Sequence, residues 1–410
     1  MKLKGFAGVP WDSVFSRFLL EKKYGDVAVP HSTSYWMKKI LHSIFYPSIV
    51  FDNTLDGHPI LFFSSFTGRK SIVDNFLKVK DLVPSDLIIK ANYKPRIDFR
   101  NAFRLFFLSL SWNDSLKRYK LTRTDRYSMV YETLRIARLH EVLTNLNLRD
   151  LKLLVTFNDS FTLESYAVEF FRLYGIKTAS LQHGQFISWR ADTFFDCGIE
   201  FLTFKSDYFL CWNKYTYDEA IKYGIAPEKL VIAGIWSYIG VKREKCRQNH
   251  NGVFGVVIGH PSWEAENQFM IEAANLLSAK YNLKYYLKLH PNYPEHAYDS
   301  KVNERFVGII PKGIGMMEYA NIVDFSLVGS SSVFTELVFI GHSIYRYSSK
   351  EANDKYSEVK VGYFFNTPEQ LLSQYEQGGA DKDSEALFDY LCTVSDVAQS
   401  YTSFFKQFES

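Results

Sequence analysis

Four short stretches place reactive side chains directly after apolar runs. KTASLQHG, 177–184, closes on Gln182-His183-Gly184, and YYLKLHP, 285–291, closes on His290-Pro291. An imidazole with an ordinary pKa near 6.5 changes charge within the physiological range, so each histidine can hold or release a proton there. GVFGVVIGHP, 252–261, ends on Gly259-His260-Pro261, where a glycine suits a tight turn beside a ligand. LVGSSSVFTEL, 327–337, sets Gly329 and three hydroxyls, Ser330, Ser331 and Ser332, before a helical pattern that contains Glu336. A helix start offers unpaired N–H groups and the positive end of a dipole, which together bind phosphate. Serine is also a favoured plain helix cap, but three in succession after glycine point to the anion site. Glu336, one turn in, is placed to reach the ribose hydroxyls of a nucleotide.

The elements around these residues follow a regular grammar. Strand-like runs at 151–157, 177–182, 206–212 and 229–234 alternate with helical patterns at 165–175 and 214–224, each stopped by glycine. LKLLVTF, the first of these runs, delivers Asn158-Asp159 to its end. A second series follows: strand 252–259, helix 268–282, strand 284–290, then VGIIP, MMEYA and IVDFSLVG, helix 332–341 and strand 343–347. Strands alternating with helices of this length predict βαβ units and parallel sheets. Upstream, 59–65 and 86–91 read as strands and 126–147 as a long helix. In doubly wound sheets ligands sit beyond the carboxyl ends of the strands. His183 and His290 both occupy such ends, one in each series, which explains why hydrophobic strands finish on titratable residues.

Length and composition narrow the class. A chain of 410 residues exceeds what one core fills, so two domains are expected. The polar stretch WSYIGVKREKCRQNHNG, 236–252, is the natural boundary. It sets an N-terminal domain at 1–240, a C-terminal domain at 241–385, and a helical segment at 386–410 that packs back on the first domain. The 48 basic residues nearly balance 45 acidic ones, against the basic excess of a nucleic-acid protein. The four cysteines, Cys197, Cys211, Cys246 and Cys392, lack CxxC spacing and read as reduced thiols. No signal peptide is expected, and no run reaches the roughly 20 apolar residues of a membrane span. RNAFRLFFLSLSWNDSLKRYK, 100–120, reads as a buried helix, with contact at an anionic membrane surface as the alternative. Arg69 and Lys70 read as a solvated basic loop rather than as contacts to an anionic acceptor.

The region 150–350 resembles bacterial glycosyltransferases of the GT-B type. It is most similar to the group that contains sialyl- and polysialyltransferases, Kdo transferases and CDP-glycerol polymerases. His290-Pro291, the serines 330–332 leading to Glu336, and Gln182-His183-Gly184 followed by Cys211-Trp212 carry the likeness. The resemblance implies an α/β fold of two Rossmann-like domains facing across a cleft. It also implies transfer of a sugar from a nucleotide-activated donor to a hydroxyl of a capsule, lipopolysaccharide or related surface glycan. By the same resemblance His290, Ser330, Ser331 and Ser332 hold donor phosphate and Glu336 contacts the ribose, with Gly259 and His260 beside them. His183 inherits the role of general base, an imidazole being suited to it at neutral pH; Asp159 is the alternative base. No metal or separate cofactor is implied, and a CMP-sugar is favoured over a UDP-sugar. The acceptor is a glycan or lipid-linked glycan. The location is cytoplasmic, with peripheral contact at the inner face of the membrane as an alternative. The acidic pair followed by glycine that several sialyltransferases use is not evident, which weighs against a sialic acid donor. Rival readings are a UDP-sugar 2-epimerase-like enzyme, a CDP-glycerol or ribitol phosphotransferase, and a binding protein that keeps the same shell. His directly before Pro, and serines in place of a glycine pair, favour transfer over epimerisation.

Overall fold

Parallel strands wound between helices make two sheets in the computed structural model of the chain. The described residues are 8–24, 32–45, 50–66, 70–91, 121–184, 196–241, 252–329, 331, 333–347, 363–378 and 384–409. The first sheet contains β1 Val50–Thr54, β2 Ile60–Ser64, β3 Asp86–Ala91, β4 Leu153–Thr156, β5 Lys177–Leu181, β6 Tyr208–Cys211 and β7 Leu230–Ile232. They lie in the order β1-β3-β2-β4-β5-β6-β7, and only the β1–β3 pairing is antiparallel. The second sheet contains β8 Val253–Val257, β9 Lys284–Lys288, β10 Phe306–Ile309, β11 Phe325–Val328, β12 Ile344–Tyr347 and β13 Tyr363–Phe365. Its order is β10-β9-β8-β11-β12-β13, parallel throughout. β2 (ILFFS) and β4 (LLVT) are buried along their whole length, because helices cover both faces of the sheet.

The helices of the first unit are α1 Trp11–Val14, α2 Ser16–Tyr24, α3 Thr33–Phe45, α4 Lys70–Lys80, α5 Arg123–Thr144, α6 Thr162–Leu173, α7 Asp196–Thr203 and α8 Lys214–Lys222. A capping box starts α5: Thr122 Oγ1 accepts from the Asp125 amide while the Asp125 carboxylate accepts from the Thr122 amide. The second unit carries α9 Glu264–Tyr281, α10 Met316–Ala320, α11 Val333–Phe339 and α12 Pro368–Glu376. Asn282, left-handed at φ 56°, ends α9 in place of a glycine. Strands β1 and β13 and helices α1, α2, α3, α4, α7 and α12 were not anticipated from the sequence, and Lys70, read there as part of a loop, opens α4. The helix expected at 332–341 is shorter, running from Val333 to Phe339.

The chain then returns to the first sheet through α13 Ser384–Leu391 and α14 Val397–Phe405. Phe405 packs on Phe62 of β2 with ring centroids 5.5 Å apart. Ser400 Oγ donates to the Ile232 carbonyl, and Tyr401 Oη donates to the Gly234 carbonyl at 3.2 Å. Gly234 has φ +93°, and a Cβ there would meet Val397 Cγ2 at 2.9 Å, so glycine is needed both for the turn and for the close approach of α14. α13 touches both units: the Leu391 carbonyl accepts from Asn213 Nδ2, and the Cys392 thiol reaches the Thr335 carbonyl. One continuous apolar cluster results. It joins Phe62, Leu153 and Val155 under the first sheet to Val257, Val328 and Leu337 under the second, through Trp236 and Tyr238. Cys211 and Cys392 are buried thiols.

Candidate functional site

The carboxyl end of β5 is held by Gln182, which is fully buried. Its Oε1 accepts from the Trp212 amide at 2.6 Å, and its Nε2 donates to the Gly184 carbonyl and to Thr216 Oγ1. These bonds, made across to the start of α8, fix the backbone on both sides of His183. Gly184 is not a sharp-turn glycine: its φ is not positive and a Cβ there would meet nothing within 4 Å. Side-chain hydrogen bonding by Gln182 does the positioning instead.

His183 is partly buried and leans on Phe157 and Phe161, with ring centroids 5.5 and 5.8 Å away. Behind it lies Glu200 of α7, which is 7 % exposed. Burial alone would raise the Glu200 carboxyl. Arg17, His183, Ser160 and Asn158 outweigh that effect and hold it below the usual carboxylate range. Arg17 Nη1 and Ser160 Oγ both donate to this carboxylate. The Glu200 carboxylate lies within electrostatic reach of an imidazole at a strand end, and a negative charge there favours the imidazolium as a proton arrives.

Asp159 follows β4, the strand beside β5, and is held by donors of its own. It is 2 % exposed, and its Oδ2 accepts from the Lys205 and Ser206 amides and from Ser206 Oγ. Burial pushes its carboxyl up despite the opposing pull of Lys205 and these donors. The Lys205 ammonium in turn donates to Ser165 Oγ and the Ser13 carbonyl. This is a buried tie between β4, the segment after α7, and the N-terminal helices.

In the second unit three strand ends converge. Gly259, after β8, donates its amide to Asn267 Oδ1 at 2.8 Å, and a Cβ on it would meet Trp263 at 2.9 Å. His260 follows, its ring 5.0 Å from that of His290 after β9, at an interplanar angle of 81°. Asn292 bridges the pair: its amide N–H donates to His290 Nδ1, and its side-chain nitrogen lies 3.2 Å from His260 Nε2. After β11, a Cβ on Gly329 would collide with the Glu266 carboxylate, so this glycine lets α9 close over the turn. Ser331 is described and its neighbours Ser330 and Ser332 lie outside the described residues. Ser331 Oγ accepts from the Val333 amide at 3.3 Å, which is a capping bond; its hydroxyl proton stays available as a donor.

Glu336 sits deeper than a ribose contact at the surface would require. Part of its side chain is open, yet its carboxyl is enclosed enough for burial to push it from the usual 4.5 up to about 7. Its carbonyl accepts from Tyr238 Oη at 3.0 Å, and Tyr238 stacks on Phe339. Trp236, two residues before Tyr238, meets Phe157, which touches His183. The connector between the sheets thus links the His183 neighbourhood to α11.

Glu200, Glu266, Asn267 and Asn292 belong to these groupings and were not read from the sequence. Two polar residues in the first turn of the helix after His260-Pro261 were a usable signal for Glu266 and Asn267. Glu200 lies in a helix that gave none. Arg69 and the segment 92–120, which holds the basic aromatic stretch, lie outside the described residues. So does the one Asp-x-Asp triplet of the chain, Asp381-Lys382-Asp383. Among the described residues no three His, Cys, Asp or Glu side chains gather as a metal site. Among the described residues no helix is long and apolar enough to cross a membrane.

No protein-family model matches the chain, and no curated protein matches it in sequence. Solved structures do match in shape. The UDP-GlcNAc 2-epimerase of Methanocaldococcus jannaschii, in complex with UDP-GlcNAc and UDP, superposes with a TM-score of 0.52 at 12% identity, covering 85% of this chain and 99% of that one. The lipopolysaccharide outer core galactosyltransferase WaaB gives 0.50 at 11% identity, covering 85% and 99%. The glycotransferase of kitacinnamycin gives 0.54 at 9% identity, covering 86% and 99%. The chain has the GT-B fold. Its neighbours of this fold are enzymes, both sugar transferases and epimerases, and the two wound sheets of the GT-B shell are those described above.

Proposed function

We propose that this chain transfers a sugar from a nucleotide-activated donor to a hydroxyl of a surface-glycan acceptor. The observation that carries the reading is the placement of titratable side chains at the carboxyl ends of parallel strands in both sheets. His183 with Glu200 behind it marks one sheet, and the His260–His290 pair beside the Gly329–Ser331 turn marks the other. In this reading the acceptor hydroxyl gives its proton to His183 as its oxygen forms a bond to the anomeric carbon. The bond from that carbon to the donor phosphate breaks, and the nucleotide leaves with the electron pair. His260, His290, Ser331 and, by the sequence pattern, Ser330 and Ser332 donate to the departing phosphate oxygens. Gly259 and Gly329 allow Trp263 and Glu266 to close around that place. Asp159, enclosed by its own donors, does not serve as base in this mechanism.

The neighbours of known structure include one solved with UDP-GlcNAc and UDP, which supports a nucleotide-sugar donor; the sequence resemblance favours a CMP-sugar. Calorimetric titration with CMP, CDP and UDP decides this. One nucleotide should bind, and His290→Ala should weaken it about tenfold, the loss expected from one charge-assisted hydrogen bond. Binding of none, or parental affinity in both His290→Ala and His260→Ala, refutes the donor site. Rapid consumption of the nucleotide sugar without acceptor would instead support the epimerase-like reading.

A further inference from the structure

Beside the candidate base, the first unit holds an open cavity of about 390 Å³, within the range typical of small-molecule sites, roughly 300–1,000 Å³. It lies past the carboxyl end of β2, where Ser65 and Phe66 leave the strand, and is closed by Lys90 of β3, Glu132 and Arg135 of α5, and Phe161. Phe161 is shared: it lines the cavity and also packs on the His183 ring at 5.8 Å. A molecule seated there is one ring-width from the imidazole. Phe66 and Phe161 stack at 21°, and Phe66 stacks on Phe157 at 14°, so the wall nearest His183 is a bank of parallel rings. Such a wall fits the apolar face of a pyranose.

The polar wall has an excess of cations. Arg135 Nη1 donates twice to Glu132, at 2.7 and 2.8 Å, while Arg135 Nε is buried with no partner. The Lys90 ammonium has no hydrogen bond or ion pair among the described residues. The remaining charges facing it are Lys39 of α3 and Glu164 of α6. Glu164 accepts from the Ser65 amide and hydroxyl, and burial pushes its carboxyl up, toward the neutral form. Three cations, Lys39, Lys90 and Arg135, therefore face two carboxylates, Glu132 and Glu164, and both carboxylates already accept hydrogen bonds. Burial also draws the Lys90 ammonium down, a cost that an incoming anion would remove.

We propose that this cavity seats the acceptor, and that the acceptor sugar carries an anionic group, a carboxylate or a phosphate, held by Lys90 and Arg135. The proposal rests on the transfer reading for the word acceptor; the anion site itself does not. The test uses glucuronate, N-acetylglucosamine 6-phosphate, glucose and N-acetylglucosamine as probes, followed by saturation-transfer NMR on the full chain. Anionic sugars should bind at least tenfold more tightly than their neutral counterparts. Lys90→Gln should abolish that preference while leaving nucleotide titration unchanged, and Glu132→Gln should strengthen it. Binding of glucuronate alone identifies a carboxylate-bearing acceptor; binding of the phosphate alone identifies a phosphorylated one. Equal binding of charged and neutral sugars, or no change in either variant, overturns the proposal. If Lys90→Gln fails to fold, Glu132→Gln decides alone. Anionic sugar binding in a protein that binds no nucleotide would preserve this site and refute the transfer reading.

Discussion

Glu336→Gln separates the stability role of a buried carboxyl from its binding role. The carboxyl titrates near 4.5 in an unfolded chain and is pushed up to about 7 in the folded one by burial, with no described donor to offset it. Below pH 4.5 both states hold the proton, and the substitution should be close to neutral. Between 4.5 and 7 the unfolded chain loses its proton first, so the folded state loses ground as pH rises. Above 7 the penalty is complete. A difference of about 2.5 pKa units at 1.36 kcal/mol each sets it near 3 kcal/mol, an upper value because part of the side chain is open. Glutamine removes the charge and keeps the shape. The variant should therefore melt several degrees higher than the parent at pH 8 and match it at pH 4.5. If Glu336 also accepts from ribose hydroxyls, the same variant should bind nucleotide more weakly at pH 8, trading function for stability. Melting curves across pH 4.5–9, with nucleotide titration at the upper end, provide the check. A stability gap that does not change with pH refutes the account of the buried carboxyl.

His183→Ala should reduce turnover by about 10²–10⁴ and leave nucleotide affinity nearly intact, measured by steady-state rates beside calorimetry; near-normal turnover would remove it as base. Asp159→Ala leaves Lys205 buried without its carboxylate and should cost about 3–5 kcal/mol in denaturant unfolding, with rate per folded molecule retained. A selective loss of rate in that variant would restore Asp159 as the base. Gly234→Ala must hold a left-handed φ against Val397, and should cost about 2–4 kcal/mol without touching nucleotide affinity.

The parallel sheets were readable because their strands are buried on both faces. LLVT at 153–156 and VFGVV at 253–257 are buried runs without a charged side chain, which no surface helix would carry. β1 was not, since VFDNT is a polar edge strand paired on one side only. His183, His290 and His260 stood out as titratable residues after such runs, and the structure sets each at a strand end. Glu200 and Lys90 could not be found that way. Their meaning comes from neighbours 17 residues or more distant in sequence, and periodicity carries no information about those contacts. At Gly184 the bond network of Gln182 supplies the constraint, and a side-chain network of that kind cannot be read from residue types alone.

The return of α14 to the first sheet has a consequence for how the protein is made. Ser400 bonds to Ile232 across 168 residues, and Phe405 fills the core against Phe62. A ribosome adding about 5–20 residues per second needs roughly 10–30 s to synthesise that interval. Throughout it, the face of β2 that Phe405 covers stays open in the nascent chain. The first sheet is thus completed after the second, which is able to fold before it. Chains that stop short of α14 would expose Phe62 and its neighbours, offering a hydrophobic handle to chaperones and proteases. Burial of that face waits for α14.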